Sequence, residues 1–77
     1  MVRELTDSDE GKTVVTAGGE EVGTIDRIHN NNAHVKPKGS LSRSIRRRLG
    51  WAEEDDIFEV MHSQIRRISD DEVVLRE

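Results

Sequence analysis

The apolar residues of this chain never run for more than three positions, as in Val73-Val74-Leu75, and glycine, asparagine or aspartate pairs interrupt the chain between the clusters. Short β-branched clusters with turn signals at close intervals favour a small antiparallel barrel. Residues 12–16 are the first expected strand, since Thr13, Val14, Val15 and Thr16 suit a pleated surface. Ala17-Gly18-Gly19-Glu20 reads as a hairpin turn, because glycine takes the positive φ of tight hairpins. Residues 21–29 form the second strand. Its apolar positions Val22, Ile25 and Ile28 break clean alternation, and Gly23 marks either a bulge or a close backbone approach. Asn30-Asn31-Asn32 makes the next turn, and residues 33–36 a short third strand ended by Pro37 and Gly39.

The period then changes. Leu41, Ile45 and Leu49 are four residues apart, one stripe of a helix over residues 40–49. Ser40 is its expected N-cap and Gly50 its stop. So short a helix needs a docking surface, and Trp51 is the natural anchor. Strands resume at residues 57–62, 64–69 and 72–76, with Asp70-Asp71 turning the last pair. The expected fold is mainly β: an antiparallel barrel of about six strands with one short helix between its halves.

Seventy-seven residues make one domain spanning 1–77 with its helix at about 40–49. A core of this size rarely supplies more than about 3–5 kcal/mol. No cysteine is present to staple it or to offer a thiolate ligand. Either the packing is economical or a second chain contributes. No run is long enough to span a membrane, and the acidic, mixed N-terminus lacks the apolar stretch of a signal peptide. The expected compartment is the cytoplasm, and the excess of acids and of Arg over Lys suits a salt-adapted one.

Charge is segregated. Residues 36–48 hold Lys36, Lys38, Arg43, Arg46, Arg47 and Arg48 and no acid, in a chain of net charge −4. Residues 53–59 hold Glu53, Glu54, Asp55, Asp56 and Glu59 and no base. Arg43, Arg46, Arg47 and Arg48 are candidates for charged contact, with phosphate as one partner chemistry. The alternative is a solvated helix face answering the acids that follow. Net acidity and a lack of aromatic residues beyond Trp51 and Phe58 weigh against nucleic acid. A membrane-surface helix would need more than three apolar residues.

Catalytic and metal chemistry find little footing. The serines sit in turn or helix-start contexts, and no nucleophile elbow or phosphate-cradling glycine loop is present. His29 and His34 flank the asparagine turn, but His62 has no ligand spacing to them. No enzyme activity, metal or cofactor is expected. An interaction surface has more support. Residues 57–62 place Ile57 and Met61 on one face and Phe58 and Val60 on the other, and a barrel interior takes one set. Trp51, Phe58, Val60, Val74 and Leu75 are the candidate protein-contact residues.

Leu5-Thr6, Gly11-Lys12-Thr13-Val14-Val15 and the run from Gly18 to Ile28, followed by Ile57-Phe58-Glu59-Val60, Ile65, Ile68 and Asp70-Asp71-Glu72-Val73-Val74-Leu75, resemble the PRC-barrel family. That family is shared by the photosynthetic reaction-centre H subunit and the ribosome-maturation protein RimM. The resemblance implies a six-stranded PRC-type barrel. The chain shows neither the extra domain of RimM nor the membrane helix of the H subunit, and is most similar to stand-alone archaeal PRC-barrel proteins. Those carry a segment similar to Leu49-Gly50-Trp51 between the barrel halves. The resemblance implies a cytoplasmic adaptor in archaeal cell division, near FtsZ and its membrane anchor SepF, acting as a homodimer or a heterodimer with another PRC-barrel protein. RimM implies the competing function, an RNA- or ribosome-associated factor using the basic helix.

Overall fold

A computed structural model describes residues 3–39, 41–51 and 56–76. Its strands are β1 (Thr13–Val15), β2 (Glu21–His29), β3 (Asn32–Pro37), β4 (Phe58–Met61), β5 (Ile65–Ile68) and β6 (Glu72–Leu75), with the helix α1 (Arg43–Leu49) between β3 and β4. They form one sheet in the order β4-β3-β2-β1-β6-β5. Every neighbouring pair is antiparallel except β1 and β6, which run parallel with Val14 beside Val73. The sheet is therefore mixed, which corrects the antiparallel barrel expected from the sequence. Hairpin turns explain the β1–β2, β2–β3 and β5–β6 pairs, whereas β3 and β4 are joined through α1. The parallel pair arises because the two halves of the chain meet side by side, a relationship no local turn signal encodes.

The sheet is curled. Six strands laid flat would put β4 and β5 about 24 Å apart at a spacing of about 4.8 Å. Met61 and Ile65 are joined by one 3₁₀ turn, His62–Gln64, whose three residues reach at most about 15 Å. The two ends of the sheet are thus drawn toward each other, but no ladder joins them among the described residues. The result is a half-barrel with a seam.

Bulges explain the broken alternation. The register of β2 slips by one residue against β1 between Glu21 and Gly23, and against β3 between Ile25 and Arg27. A third slip in β5 falls between Ile65 and Arg67. Two residues three apart share a face of a strand only if one extra residue lies between them. Val22, Ile25 and Ile28, then Ile65 and Ile68, all reach the same core in this way. Gly23 is also a close approach, since a Cβ there would overlap the Lys36 carbonyl oxygen and press on Val35 Cγ1 at 3.0 Å.

Two plugs cover the core. At one end Leu5 is buried, its N–H donating to Asn31 Oδ1 at 2.8 Å, while the Arg3 carbonyl accepts from His62 Nε2 at 2.8 Å. Asn31 is placed by a left-handed pair, Asn30 at φ 49° and Asn31 at φ 64°, the backbone of a two-residue hairpin turn. The other plug is α1, with Ile45 buried and Leu41 and Leu49 packed against the core. Its N-cap is Ser42, whose Oγ accepts from the Ile45 N–H at 3.3 Å; the expected cap, Ser40, lies outside the described residues. Gly50, at φ 76°, closes the helix as expected.

Candidate functional site

Gly50 determines where the helix exit points. Its left-handed turn lets the Gly50 N–H donate to the Arg47 carbonyl at 3.2 Å and the Trp51 N–H to the Arg46 carbonyl at 2.7 Å. This paired arrangement folds the residue after the glycine back onto the helix. Trp51 is buried and stacks on Phe58, with ring centroids 4.6 Å apart and planes 6° from parallel. The Arg46 guanidinium carbon sits 5.9 Å from the Phe58 ring centre, within cation–π range. The basic block thus divides. Arg46 is half-buried against the aromatic pair, whereas Arg43, Arg47 and Arg48 are exposed. Of the acids expected to answer them, Glu53, Glu54 and Asp55 lie outside the described residues.

The candidate contact residues Trp51, Phe58, Val60, Val74 and Leu75 are all buried within the chain. Four belong to the main core. Val74 faces the other way, beside Val15 in register, and shares a small cleft with Ala17, Arg66 and Arg67. The exposed set is the opposite one: Ile57, just before β4, is 43% exposed and Met61, at its end, 53% exposed. Alternation had separated the two sets, but only the curl of the sheet decides which one is inside. Between them Glu59 faces His34, with Oε2 and Nε2 3.5 Å apart, and His34 lies 6.2 Å from the His29 ring. Among the described residues no three His, Asp or Glu side chains converge as a metal site.

A cleft of about 240 Å3 opens at the seam. Leu49, Trp51, Val60 and Leu75 form its apolar wall, and Ser63, Gln64 and Arg76 its polar side. Nothing in the sequence pattern marks it, because its lining comes from α1, β4, the 3₁₀ turn and the end of β6.

The most concentrated polar cluster centres on Asp9, which sequence reasoning passed over. Its side chain is fully buried. Oδ1 accepts from Arg3 at 2.8 Å and Lys12 at 2.7 Å; Oδ2 accepts from Arg3 at 2.9 Å and the Thr6 N–H at 2.9 Å. Lys12 Nζ also donates to the Ser69 carbonyl at 2.7 Å. The Arg3 hydrogen bonds, aided by Lys12 and Thr6, hold the Asp9 carboxyl far below the usual carboxylate range despite its burial. Four bonds fill the acceptor sites of a carboxylate, so none remains for a substrate. The Asp9 cluster ties the N-terminal segment to β1 and to the β5–β6 turn. The spacing Thr6-x-x-Asp9, typical of a residue reaching back to a turn's first N–H, is the one signal that marks it.

These features define a small mixed half-barrel plugged by one helix, with its buried polar groups engaged in structure and with Ile57 and Met61 exposed at the two ends of β4. No helix among the described residues is long and apolar enough to cross a membrane. The chain belongs to DUF8593, a family of unknown function, whose model matches residues 5–75. No curated protein matches it.

Proposed function

We propose that this chain is a non-enzymatic protein–protein interaction module, a stand-alone PRC-type barrel. The observation that carries this reading is the exposure of Ile57, just before β4, and of Met61, at its end, beside a strand whose outer edge has no neighbour among the described residues. Exposed apolar side chains on a sheet-edge strand favour association with another protein. The resemblance to archaeal PRC-barrel proteins supplies the context: an adaptor in cell division, paired with itself or a related barrel, with SepF as a candidate partner. A cytoplasmic location belongs to the same proposal.

Affinity capture of the tagged protein from its host, with and without nuclease, tests the reading. Division proteins or another barrel that survive nuclease support it. Ribosomal proteins that disappear on nuclease treatment support the alternative, an RNA- or ribosome-associated factor, which the exposure of Arg47 and Arg48 at the helix end favours.

A further inference from the structure

We propose that the cleft at the β4–β5 seam is an anchor pocket for an acidic protein segment that inserts one large apolar side chain. This inference rests on the interaction-module reading and gives it a site and a partner chemistry.

Size is the first consideration. The cleft is about 240 Å3, below the roughly 300–1,000 Å3 of typical small-molecule sites. It suits one side chain rather than a cofactor. Its wall of Leu49, Trp51, Val60 and Leu75 favours an apolar insert, and Ser63, Gln64 and Arg76 on its polar side hydrogen-bond the backbone or neighbours of that insert.

Charge selects the flanks. Arg76 is the charged residue of the lining among the described residues. Leu49 follows exposed Arg47 and Arg48, whereas Arg66 and Arg67 of β5 belong to the separate cleft beside Val74. Arg76 in the lining and the two arginines that precede Leu49 thus put positive charge beside the cleft in a chain whose net charge is −4. Arginine meets carboxylates in paired, charge-assisted hydrogen bonds, so acidic residues beside the apolar anchor complete the fit.

Arg66 and Arg67 disfavour a second copy of β5 at this edge. Pairing β5 with itself would set arginine against arginine, and like charges across a strand pair are unfavourable. An extended acidic segment can instead use the outer edge of β5, which has no strand partner among the described residues. Single-stranded RNA would also satisfy the cations. It gains little from the chain's aromatic rings, because only Trp51 and Phe58 are present and they stack on each other, leaving no row of rings for successive bases.

The test uses synthetic peptides with a central Phe or Leu flanked by Asp and Glu, the same peptides flanked by Lys, and oligouridine RNA. Binding to the full chain is read by fluorescence anisotropy and by NMR shifts of the Trp51 indole, Ser63, Gln64 and Arg76. The acidic peptides are expected to bind and move these signals. Affinity should fall about tenfold or more in Arg76→Glu and in Ser63→Phe, which fills the mouth of the cleft. Both substitutions fall on exposed residues, so thermal melts should match the parent. No binding, equal binding of Lys-flanked peptides, shifts elsewhere, or tighter binding by RNA at the same signals would each overturn the proposal. Partners captured equally by parent, Arg76→Glu and Ser63→Phe would overturn the cleft and leave the module reading standing. Capture of no protein by the parent would overturn the module reading itself.

Discussion

The Trp51 indole lies flat on the Phe58 ring, 4.6 Å between centroids, and so couples the helix exit to the first residue of β4. The pair joins the plug to the wall of the half-barrel. Trp51→Ala removes the stack and leaves a void, at a cost of about 3–5 kcal/mol, comparable to the whole stability of a core this size. Trp51→Phe keeps a flat ring and should cost about 1.5 kcal/mol or less. Urea unfolding followed by circular dichroism checks both; equal midpoints for the two variants would contradict the coupling.

Gly23 should tolerate no side chain. Gly23→Ala drives a methyl into the Lys36 carbonyl and is expected to destabilise by about 1–3 kcal/mol. Gly39→Ala is the control, since open space surrounds Gly39 and its φ is ordinary. The two melting temperatures should separate clearly, with Gly39→Ala near the parent.

Asp9 makes stability fall in acid. Its folded carboxyl ionises far below its ordinary value, so the stabilisation is complete above that ordinary value and is lost as pH falls toward the folded one. Thermal melts from neutral pH downward should show a steep decline below about pH 4. Asp9→Asn should flatten part of that decline and lower stability at neutral pH by about 3 kcal/mol, because Lys12 loses its buried partner. An unchanged pH profile in Asp9→Asn would place the acid sensitivity elsewhere.

Ile57→Lys and Met61→Lys should leave folding almost untouched, within about 0.5 kcal/mol, since both side chains are largely exposed. If β4 forms a self-association surface, sedimentation should show the double variant shifted toward monomer. Val74→Asp is a poor substitute for that experiment. Val74 is buried, so an aspartate there unfolds the chain before it reports on an interface.

Much of the fold was legible residue by residue. Gly50 and the Leu41, Ile45, Leu49 stripe specify a docked helix, because capping and periodicity are local. Asn30 and Asn31 mark their turn for the same reason. The parallel β1–β6 pair was not legible, since it depends on how distant halves meet. Nor was the inward choice of Phe58 and Val60 over Ile57 and Met61, which the curl decides. Three-residue spacings such as Ile65 to Ile68 were visible, but only the paired strand shows that each conceals a bulge. The seam cleft was least legible of all, because four separate elements supply its walls.

The parallel pairing of Val14 with Val73 carries a consequence for biosynthesis. β6 is the last of these six strands in the sequence, yet it lies inside the sheet, between β1 and β5. While a ribosome is still adding residues 72–75, β1 has one unfilled side and β5 has no neighbour at all. The sheet therefore closes as a late event, after translation of that segment, and its contacts are long-range ones that form slowly. Until then a half-made sheet with open edges is exposed to the cell, and any chaperone that attends this protein meets it in that interval.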